Sequence, residues 1–379
     1  MKVEQKKWTK ENGWEIVSSG NLFTSAQLVL IFGARAVLMD FKLIEDIKIM
    51  YPNAHLLGCS TAGEICGIQV LDNSLVVTAI EFEHTTIKGG KINLEPSQSS
   101  YQAGEALAKL LDPSELCHVF VISNGLGVNG SDLVSGLTKN LPNNVTVTGG
   151  LAADSDRFIE TVAFWDCMPD NSSIAILGFY GDHIKIGFGS MGGWDPFGPE
   201  RLITRSEENI LFELDGQSAL ELYKKYLGEH ADGLPATGLL FPLSLRTKPD
   251  GQGVVRTVLA INEKDQSMTF AGALPEGAYV RFMKANFDRL IDGAIEAARA
   301  CNTSSDQFTP HVAILISCVG RKLVLKQRVE EEIEGVRDIL GNQTVLTGFY
   351  SYGEISPFKF GNRCELHNQT MTITTLSEE

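Results

Sequence analysis

The sequence predicts an α/β fold in which repeated βαβ units form mixed, largely parallel sheets with antiparallel extensions, arranged as two domains. Three observations carry this. The stretch GFYSYGEI at residues 348–355 is echoed by GCSTAGEI at 58–65 and more weakly by GGLAADS at 149–155. Each follows a short apolar run, at 345–347, 54–57 and 145–148 respectively. Each also closes a stretch of near-equal length that opens on a continuous apolar run: QLVLIF at 27–32, HVFVIS at 118–123 and HVAILIS at 311–317. An apolar strand, a helix and a second apolar strand make a βαβ unit whose sheet is covered on both faces. Finding the same unit three times sets the architecture before any single residue is weighed.

In chain order, residues 1–26 are polar and form a lead-in without a core of their own. The first unit places a strand at 27–32, a helix near 36–50 and a second strand ending at Gly58. The second places a strand at 118–123, a loop at 124–130, a helix at 131–140 and a strand ending at Gly149. The third runs from 311–317 through a charged helix ending near Leu340 to Gly348. Asn53, Asn144 and Asn342 stand in similar places before each second strand. Stretches without helical period follow each unit, at 75–94, 159–190 and 363–376. The Gly- and Pro-rich run GFGSMGGWDPFGP at 187–199 reads as a long ordered loop. A boundary near Asp215 divides the chain into domains at 27–215 and 216–379.

The bulk numbers bound the function. A chain of 379 residues with 43% hydrophobic and 21% charged residues is an ordinary globular protein. A net charge of −15 opposes binding to nucleic acid or to an anionic membrane surface. The N-terminus lacks a signal-peptide apolar core, and no apolar run approaches the ~20 residues that span a bilayer. Seven cysteines without CxxC spacing read as reduced thiols, so the expected location is cytoplasmic.

The local motifs leave several chemistries open. GLGVNG at 125–130 matches GxGxxG, but the second strand closes on Gly149-Gly150 where a ribose-binding acid is wanted, so a tight turn outweighs a dinucleotide site. GCSTAG is one residue longer than a hydrolase elbow and no acid–base pair follows it. Ser60 and Thr61 are therefore expected to offer hydroxyls to a ligand or to their own turn. Asn124 opens the loop at the end of the second unit's first strand, where ligands of open α/β sheets bind. Arg35 and Arg321 stand just past the first strands of units one and three, placed to grip a carboxylate. Glu64 and Glu354 close the two GEI turns, and Tyr350 and Tyr352 supply aromatic surface with polar tips. Strict alternation through CELHNQTMTI puts His367 on the face of Met371 and Ile373, half-buried, as either a hydrogen-bonded imidazole or a metal ligand.

Together GCSTAGEI, NGLGVNGSDLVSGL, LPNNVTVTGGLAADS, SCVGRKLVLKQRVEEEIEGVRDILG, GFYSYGEI and CELHNQTMT resemble the FIST family, which pairs an N-terminal FIST domain with a FIST C domain. The likeness runs from about Gln27 to the C-terminus. It implies a bacterial or archaeal sensory protein that binds a small ligand such as an amino acid. The chain is also similar to the branch called NosP, nitric-oxide-sensing proteins that bind haem b non-covalently and regulate a sensor histidine kinase or a cyclic-di-GMP enzyme in trans.

The resulting expectation is a ligand sensor with no catalysis of its own. His367 is the candidate for a haem iron, Arg321 for a propionate or carboxylate, and Tyr350 and Tyr352 for the walls. Ser60, Thr61, Glu64 and Asn124 complete the candidate ligand contacts. The alternatives are an amino-acid sensor using Arg321 with Glu64 or Glu354, a dinucleotide-dependent oxidoreductase or Ser60 hydrolase, and an interaction protein without a ligand.

Overall fold

In a computed structural model describing residues 1–95, 97–247, 253–301, 309–357 and 363–379, three six-stranded sheets each grow around one parallel strand pair. Those pairs are Leu28–Gly33 with His55–Ser60, Leu116–Ser123 with Thr146–Leu151, and Val312–Cys318 with Val345–Ser351. They are the strands of the three repeated units. The helices between them include Phe41–Met50, Gly130–Lys139 and Val329–Leu340. Asp40 and Asn129 cap the first two by accepting from backbone amides of the first turn. Every other pairing in these sheets is antiparallel, so the fold is mixed α/β with one parallel pair per sheet.

The sheets are interlocked by exchange. After leaving its second parallel strand, each unit lends a short strand to a different unit. Glu64–Cys66 of unit one pairs with Val345–Ser351 of unit three. Gly353–Pro357 of unit three pairs with Thr146–Leu151 of unit two. Ala163–Trp165 of unit two pairs with His55–Ser60 of unit one. The exchange is cyclic, giving the three units a pseudo-threefold arrangement.

The inner faces of all three sheets meet in one apolar cluster. It contains Leu30, Phe32 and Leu57 of unit one, Phe120 and Ile122 of unit two, and Ile314, Ile316 and Phe349 of unit three. Phe32 and Phe349 lie with ring centroids 4.8 Å apart. The near-continuous apolar runs follow from this: these strands are covered inside by one another and outside by helices.

Two other stretches fold differently from their reading in sequence. The lead-in forms the hairpin Lys2–Thr9 and Gly13–Ser18, which extends the first sheet. Gln5 there reaches the Leu346 carbonyl of unit three at 2.9 Å. The run expected to be a loop at 187–199 lies mostly in strands Ile184–Met191 and Asp195–Glu207. Its glycines permit close packing: a Cβ at Gly187 or Gly189 would meet the carbonyls of Cys301 and Ala297 on a neighbouring helix. A fourth, eight-stranded antiparallel sheet takes in Asp195–Glu207, Leu243–Arg246, Val254–Arg256 and Tyr279–Lys284. It has its own core around Tyr223, Phe270 and Phe282.

Candidate functional site

The three glycine-led turns meet at the centre of the interlocked sheets. Their leading residues, Gly58, Gly149 and Gly348, sit opposite Ile31, Val121 and Leu315 of the parallel partner strands. A Cβ at any of them would overlap the carbonyl of that partner. The recurrent glycine is therefore set by close backbone approach. Beyond it the turns are tied in a ring of backbone hydrogen bonds. Ala62 N–H donates to the Tyr350 carbonyl at 2.8 Å, Tyr352 N–H to Leu151 at 3.3 Å, and Ala153 N–H to Ser60 at 2.9 Å.

Most of the polar groups that the sequence offers to a ligand are consumed around this ring. Thr61 Oγ1 donates to Glu64 Oε1 at 2.5 Å, and the other Glu64 oxygen accepts from Ser74 Oγ at 2.6 Å and Ser74 N–H at 3.1 Å. The pattern repeats at Glu354, which accepts from Ser351 Oγ at 2.7 Å, Thr370 Oγ1 at 2.9 Å and Thr370 N–H at 3.1 Å. Burial pushes the Glu64 carboxyl up to about 7 and that of Glu354 up to about 8, against the pull of these donors. Ser60 Oγ accepts from Val162 N–H at 2.9 Å. Asn124 Oδ1 accepts from Leu126 N–H at 2.7 Å and Thr161 Oγ1 at 2.8 Å, and its amide donates to the Thr161 and Asn171 carbonyls. These side chains hold turns and loops together.

Arg321 lies in the core, not at an open strand end. It is fully buried and paired with the equally buried Glu332, at 3.1 Å from Nε and 2.7 Å from Nη2. Its remaining donors reach the Gly192 and Leu290 carbonyls. Tyr350 donates to the other Glu332 oxygen at 2.7 Å and Ser317 Oγ to the same atom at 3.1 Å. The guanidinium expected for a ligand carboxylate has found a protein carboxylate on the following helix. Arg35 pairs with Glu160 instead of lining a site.

His367 is likewise engaged. It is buried, and its Nε2 donates to the Ser356 carbonyl of the adjacent strand at 2.8 Å. Burial pulls the imidazole down to about 4, so it is neutral. No histidine lines either cavity described below, and among the described residues no three His, Cys, Asp or Glu side chains converge as a metal cluster. An iron on Nε2 would need the Ser356 bond broken and the two strands parted. The residues at this position therefore do not fit a haem in the structure as it stands.

Of the predicted residues, Tyr352 stands on the wall of a small recess. Its hydroxyl donates to Asp154, its ring stacks on Phe158 at 4.2 Å, and it borders that recess with Cys318, Thr257, Leu259 and Asn368. That space is about 20 Å³, room for one water. Asn368 is fully buried, and neither atom of its amide has a partner among the described residues. The sequence carried a signal for it, since HNQT places four polar residues in succession where the alternation of the flanking strands breaks.

The large cavity was not foreseen. It has a volume of about 1100 Å³ and lies between helix Gly130–Lys139 with the turn that follows it and strands Leu243–Arg246, Val254–Arg256 and Cys364–His367. Val134, Val147 and Leu366 line it from one apolar cluster, and Leu245 and Val254 from another, with Arg256 among the lining residues. Arg256 is 5% exposed. Nothing in VVRTV marks it as different from a surface arginine.

The FIST N domain model matches residues 27–217 and the FIST C domain model residues 219–357. The chain belongs to the FIST family. FIST domains are sensory domains of signal-transduction proteins that bind small ligands. An uncharacterized protein of Methanocaldococcus jannaschii, MJ1623, is 21% identical over 343 residues, covering 83% of this FIST chain. The chain spans 62% of that relative's length. Among solved structures, a cyanuric acid hydrolase from A. caulinodans aligns over 94% of this chain and 90% of its own, at 8% identity and a TM-score of 0.34. A likeness at that level carries no argument about chemistry. No helix among the described residues is long and apolar enough to cross a membrane.

Proposed function

We propose that this FIST protein senses a small ligand held in the large cavity, and that the ligand acts by bridging the two FIST domains. The observation that carries this reading is the composition of the walls. Val134 and Val147 come from the segment matched as FIST N, and Leu245 and Arg256 from the segment matched as FIST C. A ligand touching both favours one spacing of those walls over another, which is the differential affinity a conformational signal requires. The polar groups at the central turns support the same assignment by exclusion, because Arg321, Glu64 and Glu354 are already satisfied by protein partners.

The signal in this reading passes in the cytoplasm to a separate protein, of which a sensor histidine kinase or a cyclic-di-GMP enzyme is the class that fits a sensory domain. Haem b with nitric oxide is not carried forward, since His367 is bonded to Ser356 and no histidine lines the cavity.

A thermal-shift screen of small molecules against the wild type and Thr138→Trp tests the proposal. Thr138 is half-buried on the cavity wall, and an indole there takes up part of the space a ligand would use. A ligand at 100 times its Kd adds about 2.7 kcal/mol to the wild type. The same ligand should leave the variant unshifted; equal shifts in both proteins would remove this cavity as the sensory site.

A further inference from the structure

Arg256 is a buried cation that has no counter-ion in contact among the described residues. Its Nε donates to the Ala273 carbonyl at 3.2 Å, and Nη1 donates to the Val255 and Leu366 carbonyls at 3.3 and 3.1 Å. No carboxylate among the described residues lies within ion-pair distance of it, and Glu365 acts on it only from farther away. Nη2, with two hydrogens, has no acceptor among the described residues. A guanidinium stays charged under all ordinary conditions, and a buried charge left unpaired is costly. Burial pulls this one down to about 10. Gly272 makes the room for it, since a Cβ there would come within 2.9 Å of Nε and 3.0 Å of Cζ.

The surroundings narrow the counter-ion to an organic one. Val134, Val147, Phe188 and Leu366 give apolar walls, and Ser131 offers a buried hydroxyl with no protein partner. Arg363, Lys139 and Glu365 also line the cavity, so with Arg256 its charged lining among the described residues is net positive in a strongly acidic chain. The three carbonyl oxygens around the Arg256 guanidinium already offset part of its charge and would repel a second negative charge. That favours a monoanion over a phosphate dianion. At about 1100 Å³ the space exceeds what a lone carboxylate needs and suits one with an apolar body.

Resting on the assignment of this cavity as the sensory site, the geometry points to Arg256 as the anchor for the carboxylate of an amphiphilic organic acid, with the acid's apolar body against Val134, Val147 and Leu366. The guanidinium Nη2 donates to the carboxylate, and the ligand supplies the charge that the fold leaves uncompensated.

Calorimetry with octanoate, octanamide and octyl phosphate, on the wild type, Arg256→Met and Thr138→Trp, tests this. The wild type should bind octanoate about 10- to 100-fold more tightly than octanamide, the range expected for a charge-assisted hydrogen bond. Arg256→Met should bring the two to similar affinity, and Thr138→Trp should bind neither. The wild-type comparison needs no mutation, so a poorly folding Arg256→Met does not blunt it. Equal wild-type affinity for octanoate and octanamide, lost in Thr138→Trp, overturns the anion assignment and leaves the cavity assignment standing. Octanoate binding that persists in Thr138→Trp overturns the cavity itself. Tighter binding of octyl phosphate overturns the carboxylate class, and failure of all three to bind the wild type overturns the proposal.

Discussion

The Ala62 amide donates to the Tyr350 carbonyl at 2.8 Å, joining the turn of the first unit to that of the third, 288 residues later, at a site repeated twice more by Tyr352 with Leu151 and Ala153 with Ser60. In each case the fifth residue of one turn bonds the third residue of the next, counted from the leading glycine. The ring fixes how the three sheets meet, and its geometry depends on glycines whose Cβ has nowhere to go.

Gly348→Ala should accordingly cost about 3 kcal/mol or more, because the methyl would overlap the Leu315 carbonyl in a backbone conformation at φ +152°. Gly67→Ala, also at positive φ but with open space around it, should cost only about 1 kcal/mol. Urea unfolding of the two variants makes the comparison. Equal losses would mean that the close approach contributes nothing.

Arg321→Met should destabilise by about 3–5 kcal/mol, since it strands the buried Glu332 carboxylate. Tyr350→Phe removes one neutral-to-charged hydrogen bond to that carboxylate and should cost about 1.5–3 kcal/mol. In Arg321→Met combined with Glu332→Leu most of the loss should return. A ligand whose binding is abolished by Tyr350→Phe at unchanged stability would restore the role that the sequence suggested for this pair.

The Glu354 carboxyl has an ordinary value of 4.5 and rises to about 8 on folding, chiefly through burial. The folded state thus holds the extra proton between those two values. Its contribution is complete below about 4.5 and declines as pH rises toward about 8, by up to ~1.4 kcal/mol per pH unit. Glu354→Gln keeps the shape without the titration, its amide donating to Ser351 Oγ. Urea midpoints between pH 5 and pH 8.5 should fall less steeply in the variant; parallel curves would place the wild-type carboxylate in its ionised form throughout.

Because His367 Nε2 is occupied by the Ser356 carbonyl, haemin added to the protein should give an absorption spectrum that does not change in His367→Gln. A sharp Soret band lost in that variant would show that the two strands part to admit an iron, and would reinstate the haem expectation.

Asn368→Leu should leave the ligand-free protein at least as stable as the wild type, by up to about 1 kcal/mol, because the amide it removes has no partner among the described residues. A loss of more than about 1 kcal/mol in the thermal unfolding of the variant would mean that an ordered water or a small ligand satisfies this group.

The sequence by itself determined the repeated units. Apolar periodicity and the spacing of Gly58, Gly149 and Gly348 are local properties, written along the chain within some forty residues, and they placed all three parallel strand pairs. The same local signals exposed GEI as a recurring turn. They could not say what the turn residues touch. Glu64 meets Ser74, and Glu354 meets Thr370, across strands that no local pattern joins. Arg321 and Arg256 are the sharper contrast. In sequence the first sits past the end of a parallel strand, where ligands bind, and the second in an unremarkable strand. Folding turns the helix Val329–Leu340 back so that Glu332 neutralises Arg321, and brings helix Gly130–Lys139 opposite Arg256, which no carboxylate among the described residues reaches at ion-pair distance. Which cation is satisfied and which is left facing open space depends on long-range packing, and only the tertiary structure decides it.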